Sequence, residues 1–187
     1  MKNAGKRFEE DFEKSVPGHC VFVRLKDAGG WGFNSSDNSD EGGSVKRFTI
    51  KNKCDDLIFD GELLIMAELK SHLGKSIPKK VFRQDKKGRC YQIDELYKEK
   101  DKPNTFAGVI FNFRDVEQTW MVHISHVYNF YYADDNGKSF PLAWCQRYGL
   151  HVPQAIKKTR YRYDIELLFS LAKGGYLIID ESVKYDG

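Results

Sequence analysis

Hydrophobic residues along this chain follow two periods. Between 3 and 15, Ala4, Phe8 and Phe12 recur every fourth position among acids, the spacing of an amphipathic helix. Asn3 is placed to cap it and Pro17-Gly18 to stop it. Residues 20–25 read as a strand, and 27–44 turn to Gly, Ser, Asp and Asn between Gly29-Gly30 and Gly42-Gly43. That composition predicts a mobile surface loop over 27–47. Two apolar runs, Leu57-Ile58-Phe59 and Leu63-Leu64-Ile65-Met66, flank Asp60-Gly61 and predict a hairpin with a two-residue type I′ turn. Further on, the pattern predicts a helix around 92–97 and strands over 108–113 and 119–124. It then predicts helices over 126–132 and 141–148 with a turn at Asp135-Asn136-Gly137, and a last helix capped by Asp164 and stopped at Gly174. Strands mixed with helices in one chain of 187 residues predict a single α/β domain, a central mixed β-sheet flanked by helices.

The hairpin carries the candidate chemistry. If Phe59 pairs with Glu62, then Leu57 faces Leu64 and Asp55 faces Met66. Directly opposed residues share a sheet face, so Asp55, Met66, Glu68 and Lys70 lie on one side and Asp56, Ala67 and Leu69 on the other. Parity therefore selects Asp55 over Asp56 as the partner of Glu68, diagonally placed at roughly 7 Å between backbones. Two carboxylates so arranged can hold one divalent cation, and hard oxygen donors suit Mg²⁺ or Mn²⁺, which keep waters available for attack on a phosphate. Lys70 on the same face can orient or deprotonate that water and offset charge at phosphorus. Glu-x-Lys alone reads better as an ordinary ion pair at a strand end, because the tripeptide is common. What sets this one apart is two acids and a lysine at one end of strands that are apolar on both faces.

Composition narrows the setting. The net charge is +3, so distribution matters more than the sum. One basic run holds Lys75, Lys79, Lys80 and Arg83, and another Lys157, Lys158, Arg160 and Arg162; each reads either as a solvated face or as phosphate contacts. Trp31 and Phe33 in the polar loop read either as base-stacking aromatics or as residues that dock back on the domain. Cys20, Cys54, Cys90 and Cys145 are scattered, with no Cys-x-x-Cys pair, no signal peptide and no long apolar span, which predicts a reduced, cytoplasmic setting. His123, His126 and Cys145 match no closed zinc site.

Asn3-Ala4-Gly5 with the Gly-x-x-x-Glu spacing to Glu9, the Asp55 to Glu68-x-Lys70 core, Ser76-Ile77-Pro78 and Gln92-Ile93-Asp94-Glu95-Leu96 occur in an order that resembles one family. The segments Gly108-Val109-Ile110-Phe111, Trp120-Met121-Val122-His123-Ile124 and Tyr128-Asn129-Phe130-Tyr131-Tyr132 extend the pattern. The chain resembles the RecU-type Holliday junction resolvases of bacteria and their phages, within the PD-(D/E)xK nuclease superfamily. That resemblance implies a restriction-endonuclease-like core and a homodimeric endodeoxyribonuclease acting on branched, four-way DNA. It implies that Asp55 and Glu68 bind Mg²⁺ or Mn²⁺, that Lys70 acts on the water, and that Gln92 and Glu9 support the site. The sequence departs from the family between Asp27 and Lys53, where the family has a basic stalk: this stretch is glycine-rich, opens with the acids Asp27, Asp37, Asp40 and Glu41, and has bases only at Lys46, Arg47, Lys51 and Lys53. It also departs at a short insertion around 86–90 and at Asp56, where the family usually has an aromatic residue. Two other functions fit the same residues: a sequence-specific or general duplex nuclease, and a catalytically silent DNA-binding recombination modulator. Against silence stands the intact acid set, because carboxylates repel phosphate.

Overall fold

The structure, a computed structural model, describes residues 4–25, 52–82, 84–133 and 137–174. The Asn3 cap, the 27–47 loop with Trp31 and Phe33, Arg83, and Asp135 and Asn136 of the expected turn lie outside the described residues. In chain order the elements are α1 (Ala4–Glu13), β1 (Val21–Arg24), β2 (Asp56–Phe59), β3 (Leu64–His72), β4 (Ser76–Pro78) and α2 (Tyr91–Tyr97). They continue with β5 (Thr105–Phe113), β6 (Gln118–His123), α3 (Ile124–Tyr132), β7 (Ser139–Pro141), α4 (Leu142–Tyr148), β8 (Gly149–His151), β9 (Gln154–Lys157), β10 (Arg160–Tyr163) and α5 (Ile165–Lys173).

Six strands form one mixed sheet in the order β1-β2-β3-β5-β6-β8. All its neighbours are antiparallel except β3 and β5, which run parallel from Leu64↔Thr105 to His72↔Phe113. A parallel pair needs a crossover of a dozen or more residues, and the chain between β3 and β5, with α2 in it, provides one. The sheet is apolar on both faces. Met66, Val109, Phe111 and Val122 pack with Ile93 and Leu96 of α2, Val127 and Phe130 of α3, and Trp144 of α4. Ile58, Ile65, Ala67, Leu69, Ile110 and Met121 pack with Phe8 and Phe12 of α1 and with Ile165, Leu168 and Phe169 of α5. This is the helix-flanked mixed sheet expected from the pattern. Gly108 is required where β5 meets β6, since a Cβ there would stand 2.5 Å from the Val122 carbonyl oxygen.

The β2–β3 turn differs from expectation. Phe59 stands opposite Leu64 and Leu57 opposite Met66, so the loop spans four residues, 60–63. Gly61 has a φ of +102°, whereas Asp60 is not among the residues with positive φ, so the type I′ geometry is absent. Instead the Asp60 carboxylate accepts the N–H groups of Glu62 at 3.0 Å and Leu63 at 2.9 Å, a local side-chain-to-backbone turn, and Lys173 anchors its other oxygen at 2.7 Å. The register moved by two positions, and an even shift leaves every side chain on the face parity assigned it.

Local signals account for most boundaries. His123 accepts the Ser125 N–H through Nδ1 at 3.3 Å, so α3 starts at Ile124. Asp164 caps α5 by accepting the Leu167 N–H at 2.8 Å. The β9–β10 hairpin was not foreseen: its two loop residues are Lys158-Thr159, with Lys158 at φ 61°, and nothing in that dipeptide signals a tight turn. Among the described residues, no helix is long and apolar enough to cross a membrane.

Candidate active site

β3 outruns β2, and the candidate site lies where it does. The ladder between them ends at Asp56↔Ala67, followed by one bond from the Asp55 N–H to the Ala67 carbonyl at 3.0 Å. From there the Asp55 carboxylate replaces backbone: its Oδ2 accepts the Leu69 N–H at 2.9 Å. Asp55 is thus directly across from Glu68, not diagonal to it. Its side chain is 35% exposed, whereas that of Glu68 is wholly buried.

Glu68 is the most constrained group in this cluster. Lys70, two residues on along the same face of β3, donates to its Oε1, and so does the Gln92 side-chain amide from the first turn of α2. Its Oε2 is buried with no hydrogen-bond partner. An unpartnered buried carboxylate oxygen is expensive, and burial lifts the Glu68 pKa from an ordinary 4.5 to about 8. The positive charge of Lys70 opposes that rise and the Asp55 carboxylate adds to it. Burial pulls Lys70 down, but the charges of Glu68 and Asp55 outweigh it and hold the ammonium above its usual range. Lys70 lies 4.0 Å from Asp55 Oδ2, with the Phe82 ring 5.3 Å beneath it. Two buried thiols flank Glu68. Burial is the first cause in each case, pushing Cys54 up to about 12 and raising Cys90, so neither supplies a thiolate nucleophile near neutral pH.

These residues fit a hard divalent cation. The carboxylates of Asp55, just ahead of β2, and Glu68 of β3 face each other, and Glu68 Oε2 receives no N–H or O–H donor, while the described residues contain no group of three or more His, Cys, Asp and Glu able to hold a metal. A site with so few protein donors suits an ion that retains much of its water, as Mg²⁺ does, and not a closed zinc cage.

Glu9 stands at the margin of this cluster. Burial raises its pKa first, and the charges of Arg24, Asp55 and Lys70 all reach it. Arg24 holds it directly, donating to its backbone carbonyl at 3.1 Å and lying 3.7 Å from its carboxylate. The same guanidinium donates to both oxygens of Asp56, at 3.0 and 3.2 Å. Asp56 is fully buried on the face away from Glu68, and its pKa is lifted to about 6 by burial despite Arg24. Adjacent aspartates therefore have separate environments. Arg24 was not foreseen from the sequence; the available signal was a charge ending the otherwise apolar strand Val-Phe-Val-Arg.

The two basic runs are divided by the fold. Lys75 and Lys80 are exposed, but Lys79 turns inward, donating to the Tyr131 carbonyl at 3.0 Å and lying over the Phe130 and Tyr131 rings. Lys157 and Lys158 are exposed at the tip of the β9–β10 hairpin. Arg160 is drawn onto α1 by Asp11 and by Glu10 at 3.2 Å, and Arg162 lies 3.9 Å from Asp11.

No protein-family model matches the chain, and no curated protein matches it. Among solved structures it is similar to the 1.6 Å structure of Archaeoglobus fulgidus Hjc, a Holliday junction resolvase from an archaeal hyperthermophile. The likeness is loose: a TM-score of 0.41 at 14% identity, covering 79% of this chain and 95% of that one.

Proposed function

We propose that this protein is a metal-dependent endodeoxyribonuclease that hydrolyses phosphodiester bonds in branched, four-way DNA. The observation that carries the reading is the buried Glu68 carboxylate, bonded by Lys70 and Gln92 through one oxygen, unpartnered at the other, and facing Asp55 where β3 outruns its neighbour. Preference for a junction over a linear duplex rests on the sequence resemblance, as does a homodimer whose two sites would cut opposed strands.

Asp55 and Glu68 would hold the Mg²⁺ or Mn²⁺, which when bound acts as a Lewis acid and lowers the pKa of attached water. The Asp55 bond to the Leu69 N–H fixes that carboxylate to the strand carrying Glu68, so the two ligands move as one body. Lys70 enters as a cation, because its acid neighbours hold its proton. Its role is therefore to offset negative charge as water adds to phosphorus and the P–O3′ bond breaks, not to take the water's proton in the resting state. Gln92 keeps Glu68 turned toward the site, and Glu9 contributes negative charge from α1.

The test incubates the protein with Mn²⁺ or Mg²⁺ and end-labelled four-way junction, linear duplex of the same sequence, or single strand, with Glu68→Ala as control. Paired symmetric nicks on the junction alone, absent in the variant, are expected. Equal cutting of linear duplex would leave a general nuclease, and binding without metal-dependent cutting would overturn the enzymatic reading.

A further inference from the structure

Gln92 reaches Glu68 from a helix of only seven residues. Seven residues are too few for a helix to hold itself in water, so α2 is held by its surroundings: Ile93 and Leu96 bury its apolar side in the core, and α3 supplies the polar bonds that set its first turn. The Tyr132 hydroxyl accepts the Cys90 N–H at 3.0 Å and donates to Asp94 Oδ1 at 2.7 Å, bonding α2 on both sides of Gln92. The preceding residue holds the incoming chain: Tyr131 accepts the Gln84 side-chain amide at 2.6 Å, and Gln84 forms an antiparallel bridge with Cys90. Burial, with Asp94 beside it, raises the Tyr132 hydroxyl above the usual tyrosine range, so it keeps the proton it donates.

We infer that Tyr132 is a positioning residue for the candidate site, fixing the first turn of α2 so that the Gln92 amide meets Glu68 Oε1. The inference rests on the proposed function for its meaning in catalysis, while the tether itself has a readout that needs neither metal nor DNA. The Tyr132 hydroxyl bonds Cys90 and Asp94, not Asp55, Glu68 or Lys70, among the described residues. It acts through α2: without the hydroxyl, the Cys90 N–H and the Asp94 carboxylate lose their shared partner, and Gln92 between them loses its register against Glu68. The ring stays, packed on Tyr128 at 4.7 Å and Tyr131 at 4.9 Å between centroids, so the phenylalanine variant keeps the apolar contacts.

Outer partners of metal ligands typically change metal affinity by about ten- to a hundred-fold when removed. Tyr132→Phe is expected to weaken Mn²⁺ binding, measured by calorimetry, by about ten-fold, matching Gln92→Ala. In the double variant the two losses should coincide, because both act through one contact. Asp94→Asn, which retains an acceptor for the hydroxyl, should keep wild-type affinity. Losses that add in the double variant would show Tyr132 acting independently of Gln92 and overturn the inference. In metal-free protein, the Gln92 side-chain amide resonances in Tyr132→Phe should move toward their positions in Glu68→Ala. Unchanged resonances would overturn the tether whether or not the protein cuts DNA. No Mn²⁺ binding by the wild type, together with the expected amide shifts in Tyr132→Phe, would instead overturn the proposed function and keep the tether.

Discussion

Asp55 and Asp56 are neighbours in sequence with opposite surroundings, so replacing each by alanine should give opposite phenotypes. Asp56→Ala removes a fully buried carboxylate that accepts two bonds from Arg24, whose side chain is only 18% exposed. Breaking a buried pair from one side costs roughly 3–5 kcal/mol, because the remaining charge is stranded. Two features place Asp56→Ala near the lower end. Glu9 and Glu13 remain 3.7 and 3.5 Å from Arg24, and burial already lifts the Asp56 pKa to about 6. A loss of about 3 kcal/mol should lower the melting temperature by roughly 6–12 °C for a chain of this size. Mn²⁺ affinity and cleavage below that temperature should persist. Asp55→Ala removes one acceptor of the Leu69 N–H at a partly exposed position that water can reach, so it should cost only about 1 kcal/mol. It should abolish Mn²⁺ binding and cleavage. Urea unfolding, calorimetric Mn²⁺ titration and a junction-cleavage assay on the two variants separate these outcomes. Asp56→Leu with Arg24→Met should regain much of the lost stability, since apolar replacement of both partners removes the stranded charge. Full stability with lost metal binding in Asp56→Ala, or the reverse pattern in Asp55→Ala, would refute the face assignment.

Three further outcomes follow from the electrostatics. The Asp56 and Glu68 pKa values are raised to about 6 and about 8, so the folded protein holds these protons more tightly than the unfolded chain. Metal-free stability is therefore greatest below about pH 4 as far as these two groups decide it, and falls as pH rises through 6 and then 8; Glu68→Gln should flatten the upper part of that fall in urea titrations, and an unchanged slope would contradict it. Lys70→Met should leave Mn²⁺ affinity intact or tighter, because it removes the cation already bonded to Glu68, while cleavage falls by about 10²-fold or more; weaker Mn²⁺ binding would make Lys70 part of the metal site's support. Charge reversal at Lys157 and Lys158 should lower the salt dependence of DNA binding by roughly one unit of slope per lost phosphate contact, whereas Arg160→Ala should chiefly lower stability because buried Asp11 loses its nearest cation and keeps only Arg162 at 3.9 Å; an unchanged slope would make the hairpin tip a solvated surface.

The sequence by itself determined which residues could share a face. Strand side chains alternate with a period of two, so once the hairpin was placed, Asp55, Glu68 and Lys70 had to fall together and Asp56 apart from them, and even a turn two residues longer than expected left that partition intact. The local helical pattern likewise exposed α1 to α5, whose signals lie within each segment. Partners distant along the chain could not be read this way. Arg24 meets Asp56 because β1 lies beside β2, Arg160 meets Asp11 because β10 packs against α1, and Tyr132 meets Cys90 and Asp94 because α3 lies against α2. A lysine or arginine in a basic run looks the same in sequence whether it faces solvent, as Lys158 does, or spends its charge inside the fold, as Lys79 and Arg160 do. Only the tertiary structure decides this, since packing alone determines which acids and carbonyls each charge can reach before water does.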